Sequence, residues 1–185
     1  MFKWVGSKRR LADEIIAHMP DEIEDYVEPF MGAAHVGLSL LKSGTIKGKV
    51  YFSDNNEDLI SFWKALKQDP ELLFKEIESY KDKINKPSYA KIRRRRPQGI
   101  WKKGARFYYL IKTSYRGLWR VNSDNEYNVA FCGCNPDSFL PDLGEMGITS
   151  GLLQNASIEI MGFRDALTRG IKGVYYLDPP YYNTY

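Results

Sequence analysis

Apolar positions along the chain change period several times, and each change marks an element. Leu11, Ile15 and Met19 fall at helical spacing between Ser7 and Pro20, so the spacing predicts a first helix that the proline stops. A short apolar strand is expected at residues 25–28, then a turn from Pro29 to Gly32 and a helix through Val36, Leu40 and Leu41 that Gly44 ends. A second strand at 49–53 runs into Asp54, and Leu59, Phe62, Trp63 and Leu66 form the apolar face of the next helix. Strand, turn, helix, strand, helix is the order of a βαβ unit with a parallel sheet.

From about residue 70 to 105 the pattern is helical and strongly basic, with Leu72, Leu73, Ile77, Tyr80 and Ile84 as its early core face. An aromatic helix with Trp101, Phe107, Tyr108, Tyr109, Leu110 and Ile111 follows, its spacing explained by core packing. Residues 115–122 and 127–131 then flank the polar turn 123–126 as a hairpin or hairpin-like loop. Strand signals return at 157–161 and 173–177, on either side of a short helix around Ala166 and Leu167. The expected division is therefore residues 1–69 and 146–185 as one α/β domain and residues 70–145 as an insertion between its second and third strands. No repeat or low-complexity linker separates two tethered domains.

Composition supports a folded domain rather than a tail: of 185 residues, 43% are hydrophobic and 14% aromatic. No apolar run approaches the roughly 18 residues that a membrane helix needs, and the first ten residues lack the apolar core of a secretory signal. The expectation is a soluble, cytoplasmic protein with no membrane partner. Cys132 and Cys134 have no neighbouring Cys or His to complete a zinc set, so neither metal nor a disulfide framework is expected. The net charge of +4 conceals a segregation. Between Lys81 and Arg106 lie eleven basic residues and one acid, Asp82, a net +10 that leaves −6 for the remainder. A run of this kind, including Arg93, Arg94, Arg95 and Arg96, reads either as a solvated helix face or as a surface for a polyanion, and its density favours the polyanion.

The last strand runs directly into Asp178-Pro179-Pro180-Tyr181. Beyond the carboxyl end of a strand in an open α/β sheet lies the ligand crevice. The prolines fix φ and leave carbonyls without competing N–H groups, the aspartate accepts hydrogen bonds and the tyrosine offers a flat face. A planar group bearing an NH2 suits all three, although a plain strand-ending turn is the alternative for the tetrapeptide alone.

The ordered set of motifs resembles the Dam-like adenine-specific DNA methyltransferases. It comprises Lys3-Trp4-Val5-Gly6-Ser7-Lys8, Val27-Glu28-Pro29-Phe30-Met31-Gly32, Ser53-Asp54 with the residues to Ile60, Tyr115-Arg116-Gly117-Leu118-Trp119-Arg120 with Tyr127-Asn128-Val129, and Asp178 to Tyr181. The resemblance implies a Rossmann-like methyltransferase sheet with a helical and hairpin DNA-recognition insertion. It implies transfer of a methyl group from S-adenosylmethionine to the exocyclic amine of adenine in duplex DNA, in a restriction-modification or phage-type setting. By the same resemblance Trp4 and Lys8 are cofactor-site residues, Lys8 near the methionine carboxylate. Glu28, Pro29, Phe30 and Gly32 form the cofactor loop, and Asp54 accepts the ribose hydroxyls, its alternative being a helix N-cap. Asp178, Pro179, Pro180 and Tyr181 form the catalytic motif, with Asp178 also bordering the cofactor. Asp178 and a proline carbonyl would accept the two N–H groups of a flipped-out adenine while Tyr181 stacks on it, without metal or covalent intermediate. Tyr115, Leu118, Arg120 and Asn128 are implied as wedge and base contacts, and the Arg93 to Arg96 run as a phosphate contact.

Two positions depart from the family pattern. Ala34 stands where a second glycine is common, so a methyl group crowding the cofactor is expected, and Ser7 replaces another glycine. His35, just past the loop, is expected to pack or lie exposed rather than to catalyse. The chain stops four residues after Tyr181, whereas similar enzymes continue with further strands. The expectation is that the closing strands are missing, to be supplied by a C-terminal segment or a second chain, and the alternative function is an inactive DNA- or cofactor-binding remnant. Methylation of RNA or of the cytosine amine is a third reading that the tetrapeptide alone leaves open. GATC is the target suggested by the hairpin's likeness to its relatives.

Overall fold

In a computed structural model, residues 2–180 are described. Their chain divides into two compact units. Among the described residues one comprises 6–60 and 152–180, the other 2–5 and 61–151.

The first unit is built on a parallel sheet. It begins with α1 (Ala12–Ile16), shorter than the apolar spacing predicts. Toward Pro20 its backbone tightens into i to i−3 bonds, His18 N–H to the Ile15 carbonyl and Met19 N–H to that of Ile16. Strand β1 (Tyr26–Glu28) is buried along its whole length, as a central parallel strand must be. Helix α2 (His35–Ser43) returns along the sheet and ends on Gly44 in the left-handed conformation (φ 71°). Then β2 (Val50–Asp54) pairs with β1 in parallel. The chain next enters α3 (Glu57–Gln68), whose Asn56 side chain caps it by accepting the Leu59 N–H at 3.2 Å.

The second unit is mainly helical. Asp69 caps α4 (Pro70–Glu78) and Asn85 caps α5 (Lys86–Arg94), each accepting from a backbone N–H at 2.9 Å with a proline in the first turn. Helix α6 (Ile100–Thr113) is buried around nearly its whole circumference. Phe107, Tyr108 and Tyr109 are fully buried, and the tyrosines still satisfy their hydroxyls, Tyr108 on the Phe139 carbonyl and Tyr109 on that of Lys83. Arg106 is also buried, and its guanidinium donates to the carbonyls of Ile92 and Arg93 at the end of α5. After α6 comes the hairpin-like loop, held by isolated bridges between Ser114 and Phe131 and between Val121 and Tyr127. Helix α7 (Leu143–Leu152) is an element the apolar pattern does not predict, because Gly144, Gly147 and Gly151 interrupt it. Its start carries the signal that periodicity misses, Asp142 with Glu145 three residues on, and the Asp142 carboxylate accepts the Glu145 N–H at 2.6 Å.

Back in the sheet unit, β3 (Ala156–Ile160) pairs in parallel with β2. Helix α8 (Phe163–Thr168) then leads to β4 (Val174–Tyr175), parallel to β1. The expected strand at 173–177 is thus two residues long by ladder pairing, although the Tyr176 N–H still donates to the Val27 carbonyl. Among the described residues the strand order is β3-β2-β1-β4. This is a Rossmann-like arrangement, with its strand order reversing beside β1. Among the described residues no helix is long and apolar enough to cross a membrane, and no three His, Cys, Asp or Glu side chains gather to hold a metal ion.

The turn from β1 to α2 holds Ala34 in a conformation that favours glycine. Ala34 is buried and adopts φ 51°, ψ 29°, a left-handed conformation in which Cβ crowds the backbone. Ala34→Gly relieves strain of about 1–2 kcal/mol and loses about 0.4–1 kcal/mol through a more flexible unfolded chain. The expected net gain is roughly 0.5–1 kcal/mol in urea denaturation; a loss of stability would show that the methyl group's packing outweighs the strain.

Candidate active site

The reversal of strand order collects three segments at the carboxyl edge of the sheet: the turn after β1, the end of β2 and the residues after β4. The first is fixed tightly. Met31 N–H donates to the Ser53 carbonyl at 3.0 Å and Gly32 N–H to Asp54 Oδ2 at 3.2 Å, so the β1–α2 turn is pinned to the end of β2. Asp54 Oδ1 accepts the Asn56 N–H at 3.0 Å. Asp54 therefore does not cap α3, a task that belongs to Asn56; it braces the loop. Burial pushes its carboxyl above the ordinary aspartate value, against the pull of backbone N–H groups from Asn56, Gly32 and Asn55.

Glu28, at the end of β1, is buried behind this turn. Its Oε2 accepts the Tyr26 hydroxyl at 2.9 Å and the Gly37 N–H at 3.2 Å. Gly37 is required there, because a Cβ would lie 2.5 Å from the Phe52 ring and 2.7 Å from Glu28 Oε2. Burial pushes the Glu28 carboxyl up to about 8, only partly offset by the Tyr26 and Gly37 donors and reinforced by the nearby Asp178 charge. Burial raises the Tyr26 phenol as well. Held by the Tyr26 hydroxyl and the Gly37 N–H, Glu28 acts as a hydrogen-bonded strut behind the turn.

Asp178 follows β4 by three residues. Its two carboxylate oxygens lie 2.7 and 2.5 Å from Lys8 Nζ, an ion pair that is largely shielded from solvent, with side-chain exposures of 25% and 16% respectively. Lys8 Nζ also donates to the Gly6 carbonyl at 3.0 Å. Pro179 and Pro180 are exposed, and Tyr181 lies outside the described residues. Nearby in sequence to Lys8, the Ser7 hydroxyl meets His35 Nδ1 at 2.9 Å, giving His35 a structural partner at the start of α2.

One feature of the edge carries no signal in the motifs quoted above. Phe30 stacks on Phe163, the first residue of α8, with ring centroids 5.3 Å apart and planes 27° from parallel. Phe163 is 42% exposed. An exposed aromatic after the third strand of a doubly wound sheet is the clue that would have found it.

The sheet unit thus brings together Lys8, Glu28, Pro29, Phe30, Gly32, Asp54 and Asp178. Trp4 belongs to the other unit, where it packs on Phe107 at 5.8 Å and on Phe2 at 6.2 Å. The insertion residues are in that unit too. Tyr115 is 48% exposed, Leu118 is half-buried, and Arg120 Nε donates to Asn128 Oδ1 at 2.8 Å, both side chains being exposed. Of the arginine run, Arg93 donates to the Val129 carbonyl and Arg96 to the Asn125 carbonyl, while Arg94 and Arg95 are exposed and make no side-chain hydrogen bond among the described residues. Two of the four therefore hold the hairpin-like loop.

A parallel sheet that reverses its strand order beside β1 is consistent with the Rossmann-like fold of a methyltransferase. The family model of the D12 class N6 adenine-specific DNA methyltransferases matches residues 4–185, and the chain belongs to that family. It is 34% identical over 199 residues to the type II methyltransferase M.MjaIII of Methanocaldococcus jannaschii, covering 97% of this chain and 68% of the relative. It is 30% identical to the type II methyltransferase M1.LlaDCHI of Lactococcus lactis subsp. cremoris, with 97% and 64% covered. Likeness to the DNA adenine methylase of Salmonella typhi is 32%, with 97% and 63% covered. The chain spans about two thirds of the length of these curated relatives.

Glu28 makes a pH dependence checkable. It gives up its proton near pH 4.5 when unfolded and near pH 8 when folded, so between these values the native state holds a proton that the unfolded chain has lost. Stability then falls as pH rises through this window and levels off above it. Glu28→Gln keeps an acceptor for Tyr26 and Gly37 and cannot ionise. The stability difference between wild type and variant should shift toward the variant from pH 4.5 to 8, and a difference independent of pH would show that Glu28 is charged in the folded protein.

Proposed function

We propose that this chain carries the donor-binding and target-base parts of a site-specific DNA adenine methyltransferase that uses S-adenosylmethionine, acting on duplex DNA in the cytoplasm. The observation that carries the reading is the half-buried Asp178 carboxylate, fixed by Lys8 at the point where the strand order reverses.

The residues present fit the donor. Asp54 uses its two oxygens on backbone N–H groups and keeps lone pairs for ribose hydroxyls, since an ionised carboxylate offers about four acceptor sites. The Phe30–Phe163 stack offers an exposed aromatic face suited to a purine ring, and the tight turn at Gly32 allows close backbone approach. The resemblance assigns Lys8 to the methionine carboxylate, which would take the N–H now on the Gly6 carbonyl while Asp178 keeps the others. When bound, the donor contributes an electrophilic sulfonium methyl group.

The chain's own task is to orient the acceptor amine. Adenine's amino nitrogen has its lone pair delocalised into the ring. Asp178 accepting one N–H and a carbonyl of Pro179 or Pro180 accepting the other would favour density on nitrogen. Lys8 holds the Asp178 carboxylate in one orientation, so little rearrangement is needed when the amine arrives. A base taken out of the duplex is required to reach this position, with Tyr181 as its stacking partner. The helical unit supplies the duplex grip: Arg94 and Arg95 for phosphates, Arg93 and Arg96 steadying the loop, and Tyr115, Leu118, Arg120 and Asn128 as wedge and base contacts. The relatives, two type II methyltransferases and a DNA adenine methylase, support either a restriction-modification role or a solitary methylase.

Transfer of tritiated methyl from S-adenosylmethionine to duplex DNA, followed by nucleoside analysis, tests the reading. N6-methyladenine is expected, with Asp178→Ala losing at least about 100-fold in kcat while binding of S-adenosylhomocysteine persists. Methyl label in RNA or on cytosine would replace adenine as the substrate, and no label with any acceptor would reject the enzymatic reading of this chain. Separately, Arg94→Ala/Arg95→Ala should lower the salt slope of DNA binding by about 2; an unchanged slope would return these residues to the role of a solvated face.

A further inference from the structure

We infer that Arg116 is a base-reading residue for the duplex, presenting its guanidinium to the major-groove edge of a guanine. This rests on the reading of the helical unit as the DNA grip. It adds a specificity determinant to the wedge and base contacts already assigned there.

The backbone supplies the first observation. Arg116 has φ 57°, ψ 13°, a left-handed conformation that a residue with a Cβ adopts at a cost, and Gly117 follows at φ 66°. The surroundings hold the turn in place. Tyr115 N–H donates to the Ala130 carbonyl, Cys132 and Gly133 N–H groups both donate to the Thr113 carbonyl, and Gly117 N–H donates to the Ser114 carbonyl. A Cβ at Gly117 would sit 3.4 Å from the Ile111 carbonyl oxygen and 3.5 Å from that of Lys3, so this turn lies close against its neighbours. Strain held by a rigid frame needs a reason, and no hydrogen bond within the described residues supplies one. Arg116 is exposed, and its guanidinium donates to none of them.

The other arginines of the unit make the contrast. Arg106 is buried on the end of α5, Arg93 and Arg96 hold loop carbonyls, and Arg120 is engaged by Asn128. Arg94 and Arg95 stand on the last turn of α5 and on its cap. Arg116 is the arginine of the hairpin-like loop with every N–H unspent among the described residues. Its guanidinium carbon lies 5.2 Å from the centroid of the exposed Tyr115 ring. That arrangement biases the head group toward the ring by cation–π attraction while leaving N–H donors available, which suits bidentate contact with guanine O6 and N7.

Selection from a random-sequence duplex pool with the whole chain, followed by anisotropy titrations of the enriched duplexes, tests the inference. Wild type should enrich a guanine at one position, and 7-deazaguanine there should weaken its binding about 10-fold or more. Arg116→Lys and Arg116→Ala should lose the preference at that position while keeping the others, and should be indifferent to 7-deazaguanine. Arg116→Gly should show the same loss with a raised Tm, which separates lost reading from lost folding. Variants that weaken binding evenly and enrich the wild-type sequence would overturn base reading in favour of a phosphate contact. Wild-type protein that binds no duplex would instead overturn the assignment of the unit to DNA, and this inference with it.

Discussion

Strand β1 lies between β2 and β4, and the arrangement of the sheet unit depends on that placement. The chain winds from β1 to β2 to β3 in one direction and then crosses back to the other side of β1. Loops leaving β1 and β4 must diverge there, which opens the edge where Glu28, the Gly32 turn and Asp178 meet. A sheet that continued past β3 would have carried Asp178 away from the β1 turn. Burial on both faces of β1 has an electrostatic cost as well, since Glu28 closes a strand with no access to water. It stands there as a carboxyl bonded to Tyr26 and Gly37, its proton held more tightly by burial.

Much of this was legible in the sequence. The βαβ start and the return of strands near residues 157 and 174 follow from short apolar or alternating runs bounded by turn residues. The Asp-Pro-Pro motif and Asp54 were legible from their position at strand ends. What was not legible depends on tertiary contacts. Asp54 reads equally well as a helix cap until Asn56 is seen to hold that role. Glu28 reads as a loop acid until its burial is known. Helix α7 hides behind three glycines, and the stack of Phe30 on Phe163 joins residues whose spacing carries no periodic signal.

The basic segment shows how charge counting overstates a surface. Arg106 belongs to the +10 run, yet it is buried and bonded to the carbonyls that end α5. Arg93 and Arg96 point at loop carbonyls. The same residue type therefore fulfils two needs in one stretch: satisfying backbone acceptors where a helix ends or a loop docks, and offering positive charge to solvent at Arg94 and Arg95. Arginine suits both because its planar head carries several donors on a long apolar stem.

The pair between Lys8 and Asp178 joins residues 170 positions apart in sequence. Helices α4 to α6 assemble from local contacts, whereas this pair requires a very long loop to close, and such closure comes at an entropic cost that local helix formation does not bear. The orientation of the Asp178 carboxylate therefore depends on β4 having paired with β1, so a substitution that weakens that pairing would loosen the carboxylate from a distance.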